Sequence, residues 1–177
     1  MAYQKLQDSL VTLGQRISDN GESADVADRF SHENYELLRE NKLFSAMVPE
    51  EFGGQGLSYR EMTALLRQLA GLHPSTALSC SMHQHIVAAN RYNHINGRPG
   101  QALLEKVAAS ELVLVSTGAG DWLASNGDLT KTDEGYLLNG MKHFASGSPA
   151  GNLLVTSAPY EHPEEGWQVL HFPVPLN

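Results

Sequence analysis

Apolar residues recur every three or four positions through roughly the first hundred residues, and in alternation or short runs after Ser110. That change of period admits helices first and strands afterwards, and little else. Leu6, Leu10, Leu13 and Ile17 form the stripe of an amphipathic helix that Asn20-Gly21 is expected to end. A second helix is expected from about Ser23 to Asn41, with Val26, Phe30, Leu37 and Leu38 facing one way. Met47 to Gly56 holds three glycines and a proline and reads as a shaped loop. Ser58 followed by Glu61 is a capping-box signature for a helix with Met62, Leu65, Leu66 and Leu69 on its apolar face and a stop at Gly71. Pro74 suits the first turn of the next helix, which carries Ala77, Leu78, Met82 and Ile86 to near Asn93. A shorter helix spans about Gly100 to Ser110.

Beyond Ser110, Leu112 to Val115 is a short apolar run followed by Gly118-Ala119-Gly120, read as a tight turn. Alternation over 128–132 and 135–139, joined by Asp133-Glu134-Gly135, predicts a hairpin, and Asn139-Gly140 is a second hairpin dipeptide. Leu153 to Ser157 and Trp167 to Val174 are predicted strands. The fold class is therefore α+β, with a helical domain over 1–110 and a β-domain over 111–177. The last predicted strand has nothing after it to cover its edge, so a partner subunit or further chain is expected there.

Composition narrows the function classes. Twelve Lys and Arg against 20 Asp and Glu give a formal charge of −8, which disfavours binding to nucleic acid or an anionic membrane. Cys80 is the lone cysteine, so neither an intrachain disulfide nor a cysteine zinc site can form. With no signal-peptide pattern and no membrane span, a cytoplasmic location is expected.

Among the eight histidines, His83 and His85 are two apart on a helix and cannot chelate one ion; solvent-facing or core-edge roles are expected for the histidines. No Gly-x-Ser-x-Gly elbow occurs, and Ser146-Gly147-Ser148-Pro149 does not supply one. Gly118-Ala119-Gly120 lacks the third glycine of a dinucleotide fingerprint, because Leu123 stands in its place, and no helix is expected at Asp121-Trp122.

Val48-Pro49-Glu50-Glu51-Phe52-Gly53-Gly54-Gln55-Gly56-Leu57-Ser58 resembles a loop typical of the N-terminal domain of acyl-CoA dehydrogenases. The resemblance continues through His73-Pro74-Ser75 and His83, through Leu114 to Gly120, and through Gly135 to Ser146. It covers about Ser23 to Asn177. It implies an N-terminal all-helical domain followed by an incomplete antiparallel β-domain of acyl-CoA dehydrogenase type, with the C-terminal helical bundle and its catalytic glutamate absent. No carboxylate here is therefore assigned as the base. In the family's pattern, the Val115 backbone and Ser116 fall where the pyrimidine edge of FAD is bonded, Phe144 beside the isoalloxazine ring, and Ser146 near its N5.

The implied activity is α,β-dehydrogenation of acyl-CoA thioesters, with electrons passing from FAD to a separate flavoprotein acceptor. The implied assembly is a homo-oligomer. Ser116-Thr117-Gly118-Ala119-Gly120-Asp121 departs from the family's Thr-Glu-Pro-Gly-x-Gly-Ser-Asp, and the serine that contacts CoA has no counterpart. That departure suits a second reading, an FMN-using monooxygenase of the same fold; a third is a non-catalytic module pairing through its sheet edge. Flavin binding by this stretch alone is expected to be weak or absent, since a cofactor held between domains loses buried surface when one is missing.

Overall fold

Helix α1 (Ala2–Val26) passes straight through Asn20-Gly21, where a stop was expected. In the computed structural model, which describes residues 1–176, Gly21 is a packing notch. A Cβ there would lie 2.4 Å from Cγ and Cδ2 of His73. The chain leaves the helix at Ala27, Asp28 adopts φ 48°, and the Arg29 amide closes the turn on the Ala24 carbonyl at 3.0 Å. Helix α2 therefore covers only His32–Glu40 and not the longer span from Ser23. Val26, expected on its inner face, is 84% exposed. Leu37 and Leu38 are buried as expected, and Asn34 and Tyr35 complete the inner side.

Residues 43–48 are buried but neither helix nor strand, which leaves backbone groups to be satisfied from elsewhere. A short 3₁₀ turn, Glu50–Phe52, ends on Gly53 at φ 86°, and Gly56 at φ 68° returns its amide to the Val48 carbonyl at 2.8 Å. Arg91 donates through Nη1 to the carbonyls of Met47 (3.1 Å) and Leu57 (2.6 Å), tying the two ends of the loop.

Helix α3 (Tyr59–Leu72) has the expected capping box, Ser58 Oγ accepting from the Glu61 amide and Glu61 Oε2 from the Ser58 amide. Helix α4 (Pro74–Ile95) starts with proline in its first turn, as predicted. Its inner face keeps the expected Ala77 and Ile86 but not Leu78. Thr76, Ala77, Cys80, His83, Gln84, Ile86 and Val87 are buried, while Leu78 is 64% exposed. The reason lies in the 43–48 segment, whose carbonyls need donors. His83 Nε2 donates to the Phe44 carbonyl and Gln84 Nε2 to the Leu43 carbonyl, each at 2.8 Å. Helix α5 (Gln101–Ser110) ends at Glu111 in the left-handed region. Glu111 Oε2 accepts from the amides of Phe44 (3.1 Å) and Ser45 (3.2 Å).

The chain divides into two compact units, Met1–Val113 and a second beginning at Leu114. In the second, β1 (Leu114–Ser116) pairs in parallel with β4 (Leu153–His162), which pairs antiparallel with β5 (Gly166–Pro175). The sheet order is β1-β4-β5: the long β4–β5 pairing is antiparallel as expected, and the short β1 joins it in parallel. A separate hairpin joins β2 (Asp128–Thr132) to β3 (Gly135–Asn139), with Gly135 at φ 141°. Asn139-Gly140 makes no second hairpin. Gly140 instead packs on Gly127, whose Cα is 2.9 Å from where a Cβ would be, and residues 140–147 run as irregular chain. The stretch read as a tight turn holds a short helix, α6 (Ala119–Leu123). Among the described residues, the outer edge of β5 carries no strand partner.

Candidate functional site

Strand β1 is buried along its whole length. Val115 points its side chain into the core, where a Cβ on Gly151 would meet its Cγ2 at 2.4 Å, so that side chain is closed to a ligand. Ser116 is fully buried, yet its Oγ has no hydrogen-bond partner among the described residues. A buried hydroxyl with no partner is costly to fold and is a natural place for a ligand atom to bond.

Phe144 and Ser146 lie on the irregular 140–147 segment, which the β1 end reaches through Gly118. The Gly118 amide donates to the His143 carbonyl at 2.9 Å, and a Cβ on Gly118 would fall 2.8 Å from Phe144 Cδ2. A side chain at Gly118 would therefore displace the Phe144 ring from where it crosses. Phe144 is 82% exposed and holds φ 57°, a left-handed backbone that a bulky side chain rarely takes. Such strain, typically about 1–3 kcal/mol, persists where surrounding structure imposes it. Ser146 is half-buried, and its amide donates to the Phe144 carbonyl at 2.9 Å. Ser116, two residues before Gly118, and Ser146, two after Phe144, thus flank one backbone contact.

Sequence reasoning passed over the groups that hold this contact. Lys142 Nζ donates to Asp121 Oδ1 (2.6 Å) and to the carbonyls of Asn126 (2.8 Å) and Ser157 (2.6 Å). Asp121 Oδ2 accepts from the hydroxyls of Thr117 (2.7 Å) and Thr156 (2.9 Å). Both charged side chains are nearly inaccessible, at 7% and 5%. Burial pushes the Asp121 carboxyl up, but the hydrogen bonds from Lys142, Thr117 and Thr156 outweigh it and leave the pKa below its ordinary value. The signal that could have found this cluster is Thr117 and Asp121 four apart, the spacing of a side-chain bond across one helical turn. Trp122 on the same helix donates to the Thr117 carbonyl at 3.3 Å and stacks on His171 with centroids 5.1 Å apart.

The histidines depart from their expected roles in the first unit. His83 is fully buried on α4, where desolvation lowers its pKa to about 4. His73 is also buried, with Nδ1 2.7 Å from Thr76 Oγ1. Cys80 is buried with its thiol pushed up to about 12 by desolvation, so it offers no thiolate. Among the described residues no group of three or more His, Cys, Asp or Glu could hold a metal ion, and no helix is long and apolar enough to cross a membrane.

The sequence profile of the acyl-CoA dehydrogenase N-terminal domain matches residues 4–111. Mitochondrial isovaleryl-CoA dehydrogenase of Oryza sativa subsp. japonica is 26% identical over 153 residues, 81% of this chain and 37% of that protein. Dibenzothiophene monooxygenase of Rhodococcus erythropolis is 26% identical over 133 residues, 67% of this chain and 29% of that protein. The solved structure of KijD3 in complex with FMN and a dTDP-linked amino-keto sugar superposes with a TM-score of 0.82 over 98% of this chain and 44% of that one. At 24% identity that likeness concerns the fold. The chain thus spans roughly a third of the length of these two curated relatives, one a dehydrogenase and the other a monooxygenase.

Proposed function

We infer that this chain, which belongs to the acyl-CoA dehydrogenase family by its N-terminal domain, supplies one wall of a flavin site in an oxidoreductase. The observation that carries the reading is the fully buried Ser116 hydroxyl, unpartnered among the described residues, two positions before the Gly118 that meets the Phe144 ring. These residues fit a flavin: a donor without a protein partner, a glycine where backbone and ring approach closely, and an exposed aromatic side chain.

In this reading the Ser116 hydroxyl and the Val115 backbone bond the pyrimidine edge of the ring system. Phe144 lays apolar area against it, and Ser146 offers a hydroxyl toward N5. Fixed neutral donors at the pyrimidine edge favour the electron-rich reduced state without reorganising. Bound flavin supplies either hydride acceptance from a substrate carbon or, once reduced, activation of oxygen. For the whole protein we propose the first, α,β-dehydrogenation of an acyl thioester with FAD and a separate electron acceptor. A second reading, an FMN-dependent monooxygenase, is favoured by Ser116-Thr117-Gly118-Ala119-Gly120-Asp121, which has neither the Glu-Pro pair nor the CoA-contacting serine of the family pattern.

The test uses the complete gene product purified with FAD or FMN. Reduction of an artificial dye by acyl-CoA thioesters supports dehydrogenation, whereas oxygen-dependent hydroxylation with reduced FMN supports the second reading. A protein that binds neither flavin overturns both.

A further inference from the structure

A buried ion pair rarely adds stability over apolar residues of the same volume, and its best-attested use is to fix register. The Asp121–Lys142 pair has the saturation such a use requires. Three Nζ donors meet three acceptors, and the carboxylate takes two hydroxyls besides. Its partners come from Thr117 after β1, from α6, from the turn at Asn126, and from Thr156 and Ser157 on β4. Lys142 is the one contribution from the irregular 140–147 segment. Two residues on, Phe144 keeps a left-handed backbone that no regular secondary structure imposes. Asp121, three residues after Gly118, accepts the lysine, while the Gly118 amide reaches the His143 carbonyl between Lys142 and Phe144. The two ties therefore pin residues 142–143 to one short piece of chain, Gly118 to Asp121.

We propose that Asp121 and Lys142 are positioning residues that hold residues 142–146 so that Phe144 and Ser146 stay beside the end of β1, a role that rests on the flavin reading above. Released from the pair, Phe144 relaxes to an extended backbone and its ring leaves Gly118. The Gly118 amide then exchanges with solvent, and the flavin loses its aromatic neighbour.

The test compares Lys142→Met and the milder Asp121→Asn with the wild type in the complete gene product. Backbone chemical shifts of labelled phenylalanine and glycine are read without flavin, and affinities by FAD and FMN titration. The expected result is loss of the left-handed shift at Phe144, at least tenfold faster exchange at the Gly118 amide, and at least tenfold weaker flavin binding in Lys142→Met at unchanged helical content. Asp121→Asn changes the same readouts less, and decides the matter if Lys142→Met does not fold. Unchanged Phe144 shifts and Gly118 exchange in the folded variants overturn the proposal. So does a released segment with unchanged flavin affinity, which leaves the flavin reading standing. A wild type that binds no flavin removes that reading and this role with it, even where the segment is released.

Discussion

His73 stands with its ring against the bare Cα of Gly21, close enough that a methyl group there would overlap Cγ and Cδ2 at 2.4 Å. The ring cannot move away freely, because Nδ1 lies 2.7 Å from Thr76 Oγ1 and Nε2 lies 3.4 Å from Asp25 Oδ1. Gly21→Ala gains about 1 kcal/mol of intrinsic helix propensity. Overpacking of this kind typically takes back about 1–3 kcal/mol, and the depth of the overlap puts it at the upper end. A net destabilisation of about 1–2 kcal/mol is expected in urea unfolding; a raised midpoint would show that Gly21 is not a packing notch.

Arg91 is the second test. Its guanidinium joins the Met47 and Leu57 carbonyls, the two ends of the glycine-bearing loop. Arg91→Met keeps the apolar stem and removes both bonds, a loss of about 2 kcal/mol for a part-buried charged donor. Protease cleavage within residues 49–56 should accelerate, and Arg91→Lys should recover part of the protection. Equal cleavage rates in Arg91→Met and wild type would remove the arginine as the loop's tie.

The third prediction concerns pH. Burial lowers His83 to about 4 against an ordinary 6.5, the hydrogen bond to Phe44 opposing it and His85 adding slightly. Between those values the unfolded chain takes up a proton that the folded one refuses. Stability is therefore complete above pH 6.5 and falls as pH drops toward 4, by about 3 kcal/mol. Glu111 works in the opposite sense, since burial raises its carboxyl despite the bonds from Ser45 and Phe44. The difference between wild type and His83→Gln, which keeps a donor for the Phe44 carbonyl, isolates the histidine. A His83→Gln variant with the same slope over pH 4–6.5 would refute the assignment.

Ser116→Ala separates a ligand role from a packing role. Removing an unpartnered buried hydroxyl should leave the melting temperature unchanged or slightly raised, because no protein bond is lost. Flavin affinity of the complete gene product should fall roughly 2- to 10-fold, the worth of one neutral hydrogen bond. A lower melting temperature with unaltered flavin affinity would make Ser116 a structural residue.

Periodicity placed most elements because burial dominates where a face is continuous. The stripe Leu6, Leu10 and Ile17, the Ser58–Glu61 box and Pro74 all survive in the structure. Pattern failed where a polar residue is buried for its hydrogen bonds. His83 and Gln84 turn inward to serve carbonyls of the 43–48 segment, a need that no spacing on α4 reveals. It failed again at Gly21 and Gly140, where glycine permits a close approach and does not end or turn the chain. The residues assigned to a flavin came from resemblance. Their shared contact through Gly118, and the Asp121–Lys142 pair, depend on chain segments meeting across long sequence separation and left only the Thr117–Asp121 spacing as a local trace.

The parallel register of β1 with β4, Val115 opposite Leu154 and Ser116 opposite Val155, sets an order of events during synthesis. Strand β1 emerges from the ribosome early but has no neighbour until the whole 117–152 crossover and the start of β4 have followed it. For that interval the apolar strand awaits its β4 pairing in a nascent chain, a target for holding chaperones. Slow codons or stalls placed between β1 and β4 should therefore lower the yield of native protein more than stalls placed after β5.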